Sequence, residues 1–322
     1  MSELRFRQAT LEDATFSADV QSAVFPERPT DPVTERYWWA QPDDTYVVRR
    51  WIVQRDDRDV GAAYIEHPTW ARLEVPHGDV GGELLPEYRE RASLAAMLAE
   101  MERRLLTDGA RRIAARANED DDVRIAAIVD RGFREDRRGR RWLLDLVENR
   151  ERITAMTAAS RERMRAEGIQ MLTLDRDGDP DKYRKVWRMN EEAVRDVPTT
   201  LPNVEESFED TMRWLRAPNM HEDRFWVARE GDEIVGVSVL GYPPVRGMVG
   251  TEWTATARRV RGRGIARALK CETLMQAVAL GVDRVRTGND GANDPILHIN
   301  GTMGYRPWVG QINYLKDVPA AG

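Results

Sequence analysis

The segment Arg259-Val-Arg-Gly-Arg-Gly-Ile-Ala266 has the composition and spacing of an anion-binding loop. It lies between a strand predicted over 250–257 and a helix predicted over 266–280. A helix N-terminus leaves backbone N–H groups without internal partners and carries positive dipole character. Gly262 and Gly264 let a phosphate approach the backbone with no Cβ in the way. The segment therefore predicts a pyrophosphate site, and a tight turn with solvated arginines is the structural alternative.

Two other glycine-rich phosphate loops fit the segment less well. A Rossmann loop would need a third glycine or an alanine where Arg267 stands. A Walker loop would need Gly-Lys followed by Ser or Thr, which does not occur here.

Together with its surroundings, the loop resembles the acetyl-coenzyme A loop of the GNAT superfamily of N-acetyltransferases, Q/R-x-x-G-x-G/A. Arg259 takes the first position, and Gly262 and Gly264 take the glycine positions. The resemblance covers residues 170–315, and it includes the family's last conserved block: Asn289-Asp290, Asn293, Ile299-Asn300 and Gly304-Tyr305.

The resemblance implies that acetyl-CoA is the acyl donor and that no metal takes part. It implies pyrophosphate binding by the loop and pantetheine binding by the strand before it. The cofactor-binding residues that it implies are Thr254, Ala255, Thr256, Arg259, Val260, Arg261, Gly262, Arg263, Gly264, Ile265, Ala266, Asn289 and Asn293.

The catalytic groups are less clearly marked. Acetyl transfer needs an unprotonated amine and a proton for the leaving thiolate. The family's thiolate-protonating tyrosine corresponds to Asn300, which can donate a hydrogen bond to the sulfur or to pantetheine but cannot protonate the sulfur. Tyr305 is therefore the substitute candidate, and His298 is a weaker one. Glu252, on the strand that enters the loop, is the candidate base, and a solvated strand charge is the alternative.

Acceptor-binding segments of this fold follow the first helix of the domain. Glu192 and Asp196 are the candidates there for holding a cationic substrate, with Glu191 a weaker one. Aspartate before Val-Pro is also a common turn former. A further set of side chains fits either a pocket or the core: Trp187, Trp214 and Trp226.

The element pattern occurs twice, which predicts two related α/β domains in tandem. Gly109-Ala-Arg-Arg-Ile matches Gly281-Val-Asp-Arg-Val, and Arg131-Gly-Phe-Arg matches Met303-Gly-Tyr-Arg. The expected fold is α/β, with a mixed, mostly antiparallel sheet flanked by helices in each domain.

The first half resembles the family more faintly. In the counterpart of its loop, Glu90 replaces the first glycine and Ala92 the second, and a glutamate opposes a pyrophosphate by charge and bulk. We therefore expect a degenerate N-terminal domain over 1–148 that lines one wall of the acceptor site. A connecting helix over 149–168 and an acetyl-CoA-binding domain over 169–322 follow.

Composition excludes several other classes. The single cysteine, Cys271, rules out an internal disulfide and predicts a packed thiol, and the four histidines lack close metal-ligand spacing. The formal charge of −6 does not favour nucleic acid binding, and no apolar stretch is long enough to cross a membrane. A cytoplasmic protein is expected.

The sequence thus predicts an acyltransferase that moves acetyl directly from acetyl-CoA to the primary amine of a small molecule. A monomer is favoured, and a homodimer stays open. A non-catalytic acyl-CoA-binding sensor is the alternative, and Asn300 is the residue that supports it.

Overall fold

A computed structural model describes residues 3–42 and 44–318. Within these ranges, the strands are β1 (Arg5–Gln8), β2 (Tyr46–Arg55), β3 (Arg58–Pro68), β4 (His77–Leu84), β5 (Arg112–Asn118), β6 (Arg134–Asp145), β7 (Gln170–Thr173), β8 (Phe225–Glu230), β9 (Glu233–Gly241), β10 (Gly250–Thr256), β11 (Arg284–Asp290) and β12 (Arg306–Asp317). The α-helices are α1 (Ala14–Val24), α2 (Pro32–Ala40), α3 (Arg91–Thr107), α4 (Asp122–Asp130), α5 (Arg150–Ala166), α6 (Lys182–Val194), α7 (Phe208–Leu215), α8 (Ile265–Ala279) and α9 (Asp294–Met303).

The same order of elements occurs in both halves, as the sequence predicts. A strand, two helices and three strands are followed by a long helix, a strand, a short helix and a last strand; α5 connects the halves. Local chemistry explains the turns. Asp56 and Asp57, between β2 and β3, both take positive φ, a backbone that aspartate tolerates in tight hairpins. Gly231 does the same between β8 and β9.

All the described strands join one mixed sheet, in the order β1-β2-β3-β4-β5-β12-β6-β11-β10-β9-β8-β7. Two neighbouring pairs are parallel, β4 with β5 and β10 with β11, and the other pairs are antiparallel. The predicted fold class is confirmed. The sequence did not indicate that the sheets of the two halves would be continuous.

The sheet is continuous because the halves exchange their last strands. Residues 139–145 of β6, from the first half, pair with the whole of β11, and β12, from the second half, pairs with β5 and β6. Each half is therefore completed by the other. The boundaries at 148 and 168 stay a prediction about the chain, since the exchange crosses them in space.

Three clusters of buried side chains form the core. The first lies in the first half together with Ile312 and Tyr314 of β12, and the second lies in the second half. The third joins the last strand of the first half to α5, α8 and β11. Cys271 lies in the third cluster and is fully buried, which fits the predicted packed thiol. Among the described residues, none of the helices combines the length and the apolarity needed to span a membrane.

Candidate functional site

The site begins where β10 and β11 separate. Their parallel pairing is limited to Gly250 opposite Arg286, while β10 stays paired with β9 as far as Thr256. A bulge at Glu252 interrupts the pairing with β9 between Thr251 and Trp253. Beyond it, β10 has a free edge toward β11, and unpaired backbone N–H and C=O groups on such an edge can bind an extended amide chain.

The glycine-rich loop adjoins this opening. Gly262 and Gly264 have φ values of 80° and 86°, which other residues adopt only with strain. Gly264 is the N-cap of α8 and provides no side-chain cap, so the first N–H groups of the helix stay available to a ligand. A Cβ at Gly262 would meet open space, and one at Gly264 would lie 3.1 Å from Nη1 of Arg163 on the connecting helix.

A cavity of about 1310 Å³ connects the loop with the opening. Eight basic and five acidic side chains of the described residues line it, although the chain as a whole is acidic. Such a lining suits a ligand with several phosphate charges. Eleven of the predicted cofactor residues lie on this wall: Thr254, Ala255, Thr256, Val260, Arg261, Gly262, Gly264, Ile265, Ala266, Asn289 and Asn293.

Arg259 and Arg263, the other two predicted cofactor residues, are not on the cavity wall. Arg263 donates to Glu230 Oε1 and Glu167 Oε2, both at 2.8 Å, and Arg259 also pairs with Glu230. These pairs hold the pKa of Glu230 below its ordinary value, through Arg263 first. The two side chains therefore fix the loop to β8 and α5, and phosphate contact by them stays a prediction.

Glu192 and Asp196, predicted to bind the acceptor, also contact the loop. Glu192 Oε1 accepts a hydrogen bond from the backbone N–H of Arg258 at 2.5 Å. Asp196 pairs with Arg258 and with Arg261, each at 2.6 Å, and the hydrogen bond from Arg258 is the largest cause of the lowered pKa of Asp196. The structure thus places both carboxylates where they position the loop, and Asp196 also lines the cavity.

Glu252 lies at the end of the cavity where the strands part. Its side chain is 29% exposed, and burial raises its pKa, opposed by the charge of Arg286 at 3.8 Å. A raised pKa brings a carboxylate closer to the range in which it can exchange a proton with an amine. Gly241 leaves room for this side chain, because a Cβ there would lie 2.5 Å from Glu252 Oε1.

Of the residues considered for the acid, Asn300 and Tyr305 are buried beside the cavity, whereas His298 is exposed. Asn300 is fully buried, and its Nδ2 donates to Asn289 Oδ1 at 2.7 Å while its own Oδ1 has no partner. Tyr305 is 4% exposed, and burial raises its pKa far above the ordinary range. His298 lines the cavity.

Lys270 is a basic group that sequence reasoning missed. It lies on α8, is 2% exposed and lines the cavity, and its Nζ is 5.2 Å from the ring centre of Tyr305. In the described part of the chain, no carboxylate forms a salt bridge with it. Burial lowers its pKa to about 8. The only sequence signal was a lysine among the apolar positions of a buried helix.

The remaining sequence candidates lie elsewhere. Glu191 Oε1 accepts from the backbone N–H of Glu206 at 3.4 Å. The three tryptophans are absent from the described cavity walls, and their indole N–H groups or rings have protein partners: Trp187 with Glu206, Trp214 with Phe225, and Trp226 with Gln276.

The first half has an equivalent opening, but side chains fill it. β4 and β5 pair in parallel up to Asp79 and then diverge. Buried Arg124 bridges them, donating to the carbonyl oxygens of Gly82 at 2.7 Å and Arg116 at 2.6 Å, and to Glu83 Oε1 at 2.9 Å. The first half thus uses for its own hydrogen bonds the backbone groups that a ligand would need.

Comparisons with known proteins agree with this geometry. Residues 186–298 match the model of the acetyltransferase (GNAT) family. No curated protein matches the chain by sequence. Among solved structures, a tandem GNAT protein from the clavulanic acid biosynthesis pathway, solved without AcCoA, is similar with a TM-score of 0.75 at 16% identity, covering 99% of this chain and all of that one. A GCN5-related N-acetyltransferase from Sphaerobacter thermophilus has a TM-score of 0.67 at 17% identity, covering 98% of this chain and 95% of that one.

At such identities the structural likeness shows the fold, whereas the family match rests on the segment that holds β10, the loop and α8. Residues 186–298 therefore match the GNAT acetyltransferase family, and the chain as a whole has the fold of tandem GNAT proteins.

Proposed function

We propose that the C-terminal half moves an acetyl group from acetyl-CoA to the primary amine of a small molecule, by direct transfer in a ternary complex. The observation that carries this proposal is the combination of a single parallel pair between β10 and β11 with an uncapped, glycine-flanked helix N-terminus on the same cavity. One ligand with a phosphate end and an extended amide arm would satisfy both features.

The residues present fit such a ligand. Open space beyond Gly262 and the free N–H groups at the start of α8 would hold its pyrophosphate, with Arg261 and Arg267 on the same wall. The free edge of β10, from Trp253 to Thr256, would pair with its pantetheine amides. Bound there, acetyl-CoA supplies the thioester carbonyl at which the C–N bond forms as the C–S bond breaks.

Two side chains of the cavity can accept and donate the protons that acetyl transfer requires. Glu252 accepts a proton from the ammonium group of the acceptor, since burial raises the pKa of its carboxyl group and makes the carboxylate a stronger base. Lys270 holds a proton at Nζ below pH 8 and can give it to the leaving sulfur. Lys270 would then do the work of the tyrosine that Asn300 replaces.

The protein acts as a monomer in this proposal. The exchange of β6 and β12 already covers, within one chain, the strand edges of β5 and β11 that a partner chain could otherwise pair with. Light scattering on the purified protein tests this point, and a stable dimer would contradict it.

Calorimetric titration with acetyl-CoA, followed by thiol release with a panel of amines, tests the function. Saturable binding together with amine-dependent release supports it. Binding without release for any amine would favour a non-catalytic acyl-CoA sensor, the reading that Asn300 supports. Absence of binding would reject both and leave the loop as a structural turn.

A further inference from the structure

A second cavity of about 370 Å³ lies between the halves. Its walls come from the segment after α1, which belongs to the first half, and from β6, β10 and β11. Four residues line both cavities: Arg141, Glu252, Thr287 and Gly288. The second cavity therefore meets the larger one at the carboxylate that we propose as the base.

Three arginines converge on the second cavity. Arg28 and Arg141 donate to the same atom, Asn118 Oδ1, at 2.9 and 2.7 Å, so their guanidinium groups lie against each other. Gly288 is opposite Arg141 in the sheet, and Arg286, two residues before it, shares that face. Burial first, and then the charges of Arg28 and Arg286, lower the pKa of Arg141 to about 10.

The carboxylates around the arginines do not balance them closely. Glu27 Oε1 is 3.5 Å from Nε of Arg28, and Glu252 Oε1 is 3.8 Å from Nη2 of Arg286. Arg141 donates only to amide oxygens within the described residues, those of Asn118 and Gln311. Glu27 and Glu252 thus pair loosely with two of the three guanidinium groups, and the charges of Glu83 and Asp120 also act on Arg28 and Arg141.

The other acids of this cavity are engaged elsewhere. Asp31 accepts from the backbone N–H groups of Thr34 and Val245, both at 2.8 Å, and of Arg246 at 3.0 Å. Glu35 Oε1 accepts from the indole of Trp39 at 2.9 Å, and burial raises the pKa of Glu35. Within the described residues, neither of these acids pairs with the three arginines, and Arg141 has only amide acceptors.

A polar atom on the same walls has no partner among the described residues. Oδ1 of Asn219 is buried and accepts no hydrogen bond from them, on the wall that includes Glu252. Buried polar atoms in folded proteins nearly always have a partner, and a ligand is one way to supply it. Nε of Arg28 is also buried, and its nearest acceptor is Glu27 Oε1 at 3.5 Å, beyond ordinary hydrogen-bond length.

We propose that the second cavity binds the acceptor, and that the acceptor carries a carboxylate as well as its primary amine, as an amino acid does. Arg28, Arg141 and Arg286 hold the carboxylate, since the guanidinium fork matches that group. The amine faces Glu252 and Asn219, at the junction of the cavities. This inference rests on the proposed acetyl transfer and names its substrate class.

The test uses the full chain, saturated with acetyl-CoA. The acceptors are the common amino acids, and each amino acid is compared with its own amide. Thermal shift reports binding, and thiol release reports transfer. We expect at least one amino acid to bind and react, with its amide at least about tenfold worse in kcat/KM. Glucosamine 6-phosphate and glucosamine form a third arm, which distinguishes a phosphate from a carboxylate.

Arginine variants locate the effect. Arg286→Met and the milder Arg28→Lys should raise KM for the amino acid about tenfold or more and that for the amide much less, so the ratio of the two KM values falls toward one. Arg5→Met, at a side chain that is 75% exposed and far along the sheet, is the matched control and should leave that ratio unchanged.

The outcomes separate the two proposals. Equal use of amides and acids, or reaction of the phosphorylated amine alone, overturns the carboxylate site but leaves acetyl transfer intact. Amino acids that bind in the thermal-shift arm without any transfer support the cavity and reject the transferase. A panel in which no acid binds or reacts overturns the inference.

Discussion

At the scale of single residues, we expect Gly262 to decide whether the proposed site binds acetyl-CoA. Glu90 occupies the same place in the first half, so Gly262→Glu copies a substitution that the protein itself contains. A carboxylate at the start of α8 would repel the pyrophosphate and fill its space. We expect acetyl-CoA affinity in calorimetry to fall at least about 100-fold, because more than one charge contact is lost.

The matched control is Gly132→Glu. Gly132 has the same φ of 80° as Gly262, and its Cβ would also meet open space, but it lies outside the cavity lining. Both variants therefore carry the same backbone strain. If Gly132→Glu lost acetyl-CoA binding as well, strain and not the loop would explain the result.

Glu252→Gln tests the base. The carboxylate must be unprotonated to act, so kcat/KM should fall as the pH drops through its pKa, which burial raises above the usual range. The variant should lose this acidic inflection and about 10²–10⁴-fold in rate. Two acceptors of different amine pKa separate this inflection from that of the substrate; an inflection that moves with the acceptor would not belong to Glu252.

Lys270→Met tests the proposed acid, and we expect it to lower the rate of transfer while it raises the stability of the fold. The pKa of Lys270 is about 8 in the folded protein and 10.5 ordinarily, so its charged form costs stability at neutral pH, and the cost fades as pH rises from 8 to 10.5. The variant should unfold with a free energy on the order of 1–3 kcal/mol higher at pH 7. The variant should also be slower, and its rate should no longer fall above pH 8. Replacement of a lysine with a purely structural role would leave that pH dependence in place.

Sequence reasoning found the loop residues because their spacing is local. Gly262, Gly264 and the strand before them are contiguous, and a strand–glycine–helix pattern is visible in the chain. Lys270 and the three arginines of the second cavity were missed for the converse reason. Arg28 and Arg286 are far apart in the chain and meet only after the sheet has formed.

At the scale of elements, the two openings in the sheet differ in what fills them. β10 and β11 diverge around open space, whereas Arg124 of α4 closes the gap between β4 and β5. The elements themselves were predictable from periodicity: the apolar side of α3, from Leu94 to Leu105, is buried as expected. Whether an opening is empty depends on side chains from a different element, which periodicity does not report.

This difference predicts one acetyl-CoA site per chain. Opening the first-half gap would break three hydrogen bonds of a buried guanidinium, which costs several kcal/mol before any ligand contact is made. Calorimetry should therefore give a stoichiometry near one. The number of acetyl-CoA molecules bound per chain should then be near zero in Gly262→Glu. A site that survives in that variant would show that the first half binds the ligand.

At the scale of the whole molecule, the strand exchange makes the halves a single folding unit. The sequence does not indicate this exchange, because β6 and β12 are the last strands of equivalent units and each could pair within its own half. β6 is also highly charged, from Arg134 to Arg141, and reads as an edge strand, yet it lies between β12 and β11. Only the register of the assembled sheet shows which strand completes which half.

The exchange predicts that the second half does not fold alone. A fragment of residues 149–322 lacks β6 and with it Leu144 and Leu146, which are buried in the core shared by the halves. Losing a buried leucine costs about 2–5 kcal/mol, a large part of the stability of a domain. We expect this fragment to show no cooperative melting and no acetyl-CoA binding, whereas the full chain should melt in one transition.

A fragment of residues 134–322 provides the matched comparison, because it keeps β6 beside β11 and adds few residues. It should regain cooperative melting and acetyl-CoA binding, since β6 restores the missing edge and core, and β12 can still pair with β6. Equal behaviour of the two fragments would mean that β6 is dispensable to the second half. Recovery in the longer fragment alone would show that the proposed acetyl-CoA site of the second half depends on a strand from the first half.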